Sequence, residues 1–200
     1  MTADLLYDSF RQPGGCKGKI ADWLMPRKSR QLSDWTIEQL NIQPYQHLLE
    51  VGYGPGNTLQ SVARQLKVGF LAGIDHSLDM YQQAYRKNKI FIEQQLLHLH
   101  LGSLSELSYP PHYFHTIYGS NACFSWKDPQ AEFIRLSSLL KNNGKLVMVF
   151  QPFSARQKDA LHSIVEQTKE DYIAAGLTNV RTENRHIYPV TSIAVIGNKI

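Results

Sequence analysis

Apolar and polar positions alternate along this chain in two rhythms, one close to two residues and one close to 3.6. Short apolar runs recur at His47–Val51 (HLLEV), Phe70–Ile74, Leu97–Leu101, Thr116–Ser120 and Lys145–Phe150, and each predicts a strand. Between them the apolar residues fall three and four apart. Leu59, Val62, Ala63 and Leu66 share one side of a helix predicted from about Asn57 to Leu66. Ser77 suits the N-cap of a second helix reaching about Lys87. Asp128 followed by Pro129 predicts another helix start. That helix carries Phe133, Ile134, Leu136, Leu139 and Leu140 and ends near Asn143-Gly144. A long helix is predicted over roughly Ala155–Ala175, closed by Gly176. Two last strands, near Val180–Tyr188 and Ser192–Asn198, flank Pro189 and predict an antiparallel hairpin at one sheet edge. Strands alternating with helices predict an α/β fold, a seven-stranded, mostly parallel sheet with helices on both faces.

Residues 1–45 read differently. Leu32, Trp35, Thr36, Gln39 and Leu40 keep helical spacing, with Leu32, Trp35 and Leu40 as the apolar side and Pro44 as a stop. The segment is expected to be an N-terminal helical lid on a main unit spanning 46–200, the two forming one structural body. Tyr7, Phe10, Trp23 and Met25 would either close over a ligand and its acceptor or pack the helices onto the sheet; the pattern leaves both open.

Composition narrows the class. With 42% hydrophobic and 19% charged residues in 200, the chain has the make-up of an ordinary globular domain. No apolar run reaches the roughly 20 residues that span a bilayer. The N-terminus, MTADLLYDSF, lacks the basic start and apolar centre of a secretory signal, so a cytoplasmic location is expected. Cys16 and Cys123 form neither a disulfide framework nor a zinc pattern, and no cluster of ligating side chains calls for a metal. Residues 11–30 hold Arg11, Lys17, Lys19, Arg27, Lys28 and Arg30 against Asp22 alone. This is either a solvated helix face or a contact for an anionic partner. Without a longer basic platform carrying stacking aromatics, a nucleic-acid partner is not expected.

The chemistry concentrates in Glu50-Val51-Gly52-Tyr53-Gly54-Pro55-Gly56, between the first strand and the first helix after it. Glycines there let a ligand approach the backbone closely. Their spacing is G-x-G-x-G, not the G-x-G-x-x-G of dinucleotide folds. Glu50 would suit a cationic amino group and repel a pyrophosphate, which favours a zwitterionic nucleoside over a dinucleotide. Asp75 ends the second strand, where a carboxylate can accept both hydroxyls of a ribose. It could also cap the next helix together with Ser77.

EVGYGPG followed by GIDHSLDM resembles the class I S-adenosylmethionine-dependent methyltransferases, and the likeness runs from about Gln46 to Val149. It is greatest to the small-molecule branch that includes the ubiquinone/menaquinone-type enzymes. YGSNACFSWKDP is similar to that branch's fourth-strand segment, LLKNNGKLVMVF to the approach to the fifth strand, and AAGLTNV to the link into the sixth. The resemblance implies a Rossmann-like fold, S-adenosylmethionine as cofactor and a small-molecule acceptor. It places Glu50 on the methionine amino group, with Gly52, Tyr53, Gly54 and Gly56 as the loop beneath the methionine and ribose, and Asp75 on the ribose hydroxyls. His76 and Leu104 would sandwich the adenine, Met80 would pack near ribose or adenine, and Asn121 would lie beside the methionine and the reacting methyl. Two positions depart from the pattern. Ser103 stands where the family often has an acidic residue for the adenine amine, and His115 stands where an Asp is usual. Phe124 and Trp126 would line an apolar acceptor pocket or belong to the core. His186 is the acid/base candidate, since His98 and His100 read as structural or exposed and His162 as surface. Two other readings remain: an RNA methyltransferase, against which the fourth strand lacks an N-P-P-Y-type motif, and a cofactor-binding protein with little catalysis. The acceptor atom and the oligomeric state leave no trace in the sequence.

Overall fold

The computed structural model describes residues 21–152 and 157–200, without the side chains of 21–29, Ser125 and Lys158. Tyr7 and Phe10 therefore lie outside the described residues, as do Cys16 and the side chains of Trp23 and Met25. Helix α1 (Ala21–Leu40) leads into β1 (His47–Val51), α2 (Asn57–Leu66), β2 (Phe70–Asp75), α3 (Leu78–Glu93) and β3 (Leu97–Leu101). Then follow β4 (Phe114–Ser120), α4 (Pro129–Leu139), β5 (Leu140–Phe150), α5 (Lys158–Ala174), β6 (Leu177–Ile187) and β7 (Val190–Lys199). Short 3₁₀ turns, Leu104–Glu106 and Ala122–Ser125, follow β3 and β4.

The seven strands form one sheet in the order β3-β2-β1-β4-β5-β7-β6. β1 pairs in parallel with β2 and β4, as do β2 with β3 and β4 with β5, while β7 runs antiparallel to both β5 and β6. This is the Rossmann-like arrangement with its C-terminal hairpin. Strand order reverses between β1 and β4, and in open α/β sheets a crevice opens at that point beyond the carboxyl ends of the strands.

The period-two pattern divides the core in two. Leu49 and Val51 join Phe133 and Leu136 of α4 and Ile164 and Tyr172 of α5 on one face. Leu48 joins Trp35 and Leu40 of α1, Leu59 and Val62 of α2 and Ala84 of α3 on the other. The caps read in the sequence are made: Ser77 Oγ accepts from Met80 N, and Asp128 Oδ1 accepts from Ala131 N at 3.0 Å with Pro129 in the first turn. α4 stops four residues before its expected end. Leu140 is fully buried and pairs with Phe114 as the first residue of β5, and residues between it and Lys145 bulge out before regular pairing with Thr116 resumes. The run LSSLL carries the apolar content of a helix, but its last leucine is claimed by the sheet.

The described part of α1 is fastened to the sheet's helical layer and its far edge. Leu32, Trp35, Ile37 and Leu40 are buried, and Ser33 Oγ lies 2.8 Å from Thr58 Oγ1 of α2. Arg185 of β6 pairs with Glu38 at 2.7 Å and sits over the Trp35 ring. Among the described residues no helix is long and apolar enough to cross a membrane.

Candidate functional site

At the carboxyl ends of β1, β2 and β4 lies a cavity of about 310 Å³. Its walls include Gly52, Asp75, His76, Ser103, Leu104 and Trp126, all singled out in the sequence. The loop after β1 is pinned twice to the end of β2. Gly52 N donates to Ile74 O at 2.8 Å, and Gly54 N donates to Asp75 Oδ2 at 2.9 Å. The other oxygen, Asp75 Oδ1, accepts from Ser77 N at 2.9 Å. Asp75 thus ties the glycine loop to the start of α3. A carboxylate has about four acceptor positions, and these two bonds leave capacity on a group that lines the cavity.

The three loop glycines do different work. A Cβ on Gly54 would meet nothing within 4 Å, although its φ of +51° already favours glycine. A Cβ on Gly56 would stand 2.8 Å from Ala84 Cβ and 2.6 Å from Asn88 Nδ2. What Gly56 makes room for is α3. Asn88, fully buried, donates through Nδ2 to Gly56 O and Ala84 O and holds loop and helix together.

Glu50 lies below the loop, 3% exposed, in register with Tyr118 across the β1–β4 pair. Tyr118 Oη donates to Glu50 Oε2 at 3.0 Å. Burial pushes the Glu50 carboxyl up to about 8; the Tyr118 hydroxyl pulls it down, and the Asp75 charge adds to the rise. Replacing Tyr118 by Phe should raise it further and cost about 1 kcal/mol of stability. A pH series of denaturant unfolding curves reads both effects.

Several sequence-predicted residues serve the fold in the structure. Tyr53 is buried, its ring close over Gly73 and its hydroxyl donating to His100 O at 3.1 Å. Asn121 turns its amide onto the end of β5: Gln151 N donates to Asn121 Oδ1 at 2.8 Å, and Asn121 Nδ2 donates to Gln151 O. Gln151 Nε2 in turn reaches Ser192 Oγ of β7. Phe124 is buried in the α4/α5 core against Phe150, whereas Trp126 both lines the cavity and packs edge-on to Phe133. Met80 is half-buried at the start of α3. Ser103 forms a capping box with Glu106, whose carboxylate accepts from Ser103 N and Oγ.

His186 is not brought together with these residues. It is exposed on β6 and lines a different cavity with Pro152, Leu161 and Ile193. His115 sits at the opposite end of the sheet. Cys123 is fully buried, and burial pushes its thiol up, so it is no nucleophile in this state. The sequence reading missed Tyr118, Asn88 and the cavity wall made by Lys127, Asp128 and Glu132. Asp128 and Glu132, four apart at a helix start beyond a parallel strand, were the readable signal for that wall.

Residues 48–144 match a family model described as a methyltransferase domain. Over that stretch the chain is similar to methyltransferase domains. It is 28% identical to the uncharacterized methyltransferase YdaC of Bacillus subtilis (strain 168) over 181 residues, 90% of this chain and 98% of that protein. The chain shares its fold with a SAM-dependent methyltransferase from Aquifex aeolicus (TM-score 0.70, 12% identity, 100% of each chain). It is also similar in fold to phosphoethanolamine N-methyltransferase 2 of Haemonchus contortus (TM-score 0.68, 14% identity, 84% of this chain and 52% of that one).

Proposed function

We propose that this chain binds S-adenosylmethionine in the cavity beyond β1 and β2 and transfers its methyl group to a small molecule. The reading is carried by Asp75, whose carboxylate is fixed by two backbone donors and still faces the cavity. Its remaining lone pairs suit the vicinal hydroxyls of a ribose. Glu50, among the described residues the only other buried carboxyl beside the loop, suits an ammonium group. His76 and Leu104 supply an exposed ring and an apolar surface for a flat base. These groups fit the nucleoside, the sugar and the amino-acid end of the donor.

When bound, S-adenosylmethionine supplies a methyl group activated by an adjacent positive sulfur. The chain's own task is then positioning and exclusion of water, which together contribute roughly 7–11 kcal/mol in such reactions. Asp75 and Glu50 fix the two ends, and the buried β1 and β4 ends exclude water beneath. Trp126, Lys127, Asp128 and Glu132 form the wall left for the acceptor. Burial raises the Glu132 carboxyl, with Arg135 opposing and Asp128 adding, so Glu132 is suited to take a proton from an acceptor that carries one. Two carboxylates on this wall disfavour a phosphate backbone, which supports a small-molecule acceptor over RNA.

Calorimetric titration with S-adenosylhomocysteine tests the site. Asp75→Ala should weaken binding about tenfold, or 1.4 kcal/mol. Unchanged affinity in that variant would remove the basis of the assignment.

A further inference from the structure

A cavity of about 300 Å³ opens at the other end of the sheet, where β4 and β5 begin. His115, Lys141 and Lys145 line it, with Gln43, Gln46 and Asn142 among the amide side chains around them. Among the described residues that line it there is no carboxylate. Arg181 adds positive charge beside Lys145.

The hydrogen bonds here fix a protonation state. His47 N donates to His115 Nδ1 at 2.9 Å. A main-chain N–H can only donate, so Nδ1 carries the lone pair and the proton of the neutral ring sits on Nε2. Yet Lys141 Nζ lies 3.3 Å from that same Nε2. An N–H and an ammonium are both donors, so no hydrogen bond runs between them while the lysine is charged. The ammonium and the imidazole N–H are instead a pair of convergent donors in want of an acceptor. Gln46 has turned its amide oxygen to Gln43 N at 3.0 Å, so the nitrogen is the end it has left to offer. Lys145 already donates to Gln39 O at 2.8 Å and contributes mainly charge.

We infer that this cavity is a binding site for a phosphate group, free or on a small phosphorylated molecule, held between Lys141 Nζ and His115 Nε2. Phosphate oxygens accept from both donors at once, and such charge-assisted bonds are the strong ones. The cavity has room for a small body beyond the phosphate, and its distance from the β1/β2 ends makes it independent of the methyl-transfer site. The assignment does not rest on the function proposed above.

The test uses ¹⁵N-labelled full-length protein at constant ionic strength. Inorganic phosphate and phenyl phosphate are titrated separately, and the His115 side-chain nitrogens and the amides of 141–145 are followed. Saturable shifts at these positions are expected, and the tighter of the two probes tells the free anion from a phosphate monoester. Lys141→Met should weaken the binding about tenfold, the loss of one charge-assisted bond. Lys141→Arg should retain it. Affinity for S-adenosylhomocysteine should be the same in all three proteins, which also shows that each is folded. Shifts that never saturate, or that are equal in the wild type and Lys141→Met, would overturn the site. So would a His115 ring found to carry its proton on Nδ1.

Discussion

Replacing Glu50 by Gln should weaken S-adenosylmethionine binding on the order of a hundredfold, about 2.7 kcal/mol, and should flatten its dependence on pH. In the cofactor-free protein burial holds the Glu50 carboxyl up to about 8. At neutral pH it is therefore largely protonated. An ammonium placed beside it favours the ionised form, so binding releases a proton below pH 8. The affinity should accordingly rise with pH through the neutral range and stop rising near pH 8. Calorimetry in buffers of different ionisation enthalpy counts the proton directly. The glutamine variant should release none. Stability moves in the opposite sense. Between pH 4.5 and about 8 the folded chain keeps a proton on Glu50 that the unfolded chain has lost. Rising pH through that window therefore costs the cofactor-free fold stability. Glu50→Gln removes that cost, so its melting temperature at pH 8 should equal or exceed that of the wild type. A variant that binds normally, or that binds poorly only because it unfolds, would contradict the role given to Glu50.

Gly56→Ala should destabilise the protein by about 3 kcal/mol, combining a left-handed backbone with overpacking. For a chain of this size that is a fall of about 10 °C in melting temperature. The new methyl would push directly on Ala84, whose Cα lies 3.0 Å from the added Cβ, and on the clasp made by Asn88. Gly54→Ala meets no such neighbour and should cost about 1 kcal/mol, the backbone strain alone. Calorimetric melting of the two variants side by side separates a packing glycine from an open one. Equal losses would mean that α2 and α3 are not braced at Gly56.

The contrast between these two glycines shows what the sequence could and could not convey. Strands and helices were readable because burial enforces a period: Leu49 and Val51 against Leu48 are matched by Ala72 and Ile74 against Leu71 and by Leu146 and Met148 against Val147, and Leu59, Val62 and Leu66 mark one helical side. Gly52 and Asp75, which line the cavity, were readable as candidates because a loop between strand and helix and an acid at a strand end have a geometric meaning before any coordinates exist. Partnership across the sheet had no such local sign. Nothing in YGSN announces that Tyr118 stands beside Glu50, 68 residues away, or that Asn121 would spend its amide on the end of β5. Asn88 looks like any polar residue on a helix, yet it is fully buried. Leu140 was misread for the same reason: its strand partner, Phe114, is remote in sequence. The assignment of Phe124 turned on which side of a short 3₁₀ turn faces the core, a choice made by Phe150.

The grip of Arg185 on Glu38 and Trp35 has an implication for how the molecule is made. The first described helix leaves the ribosome well before the strand it fastens to, which comes almost last. Until β6 has been synthesised, part of the surface that α1 needs is missing, and its tryptophan waits without the guanidinium that lies over it. A nascent chain released short of Arg185 should therefore hold its leading helix loosely and be the form that chaperones and proteases meet.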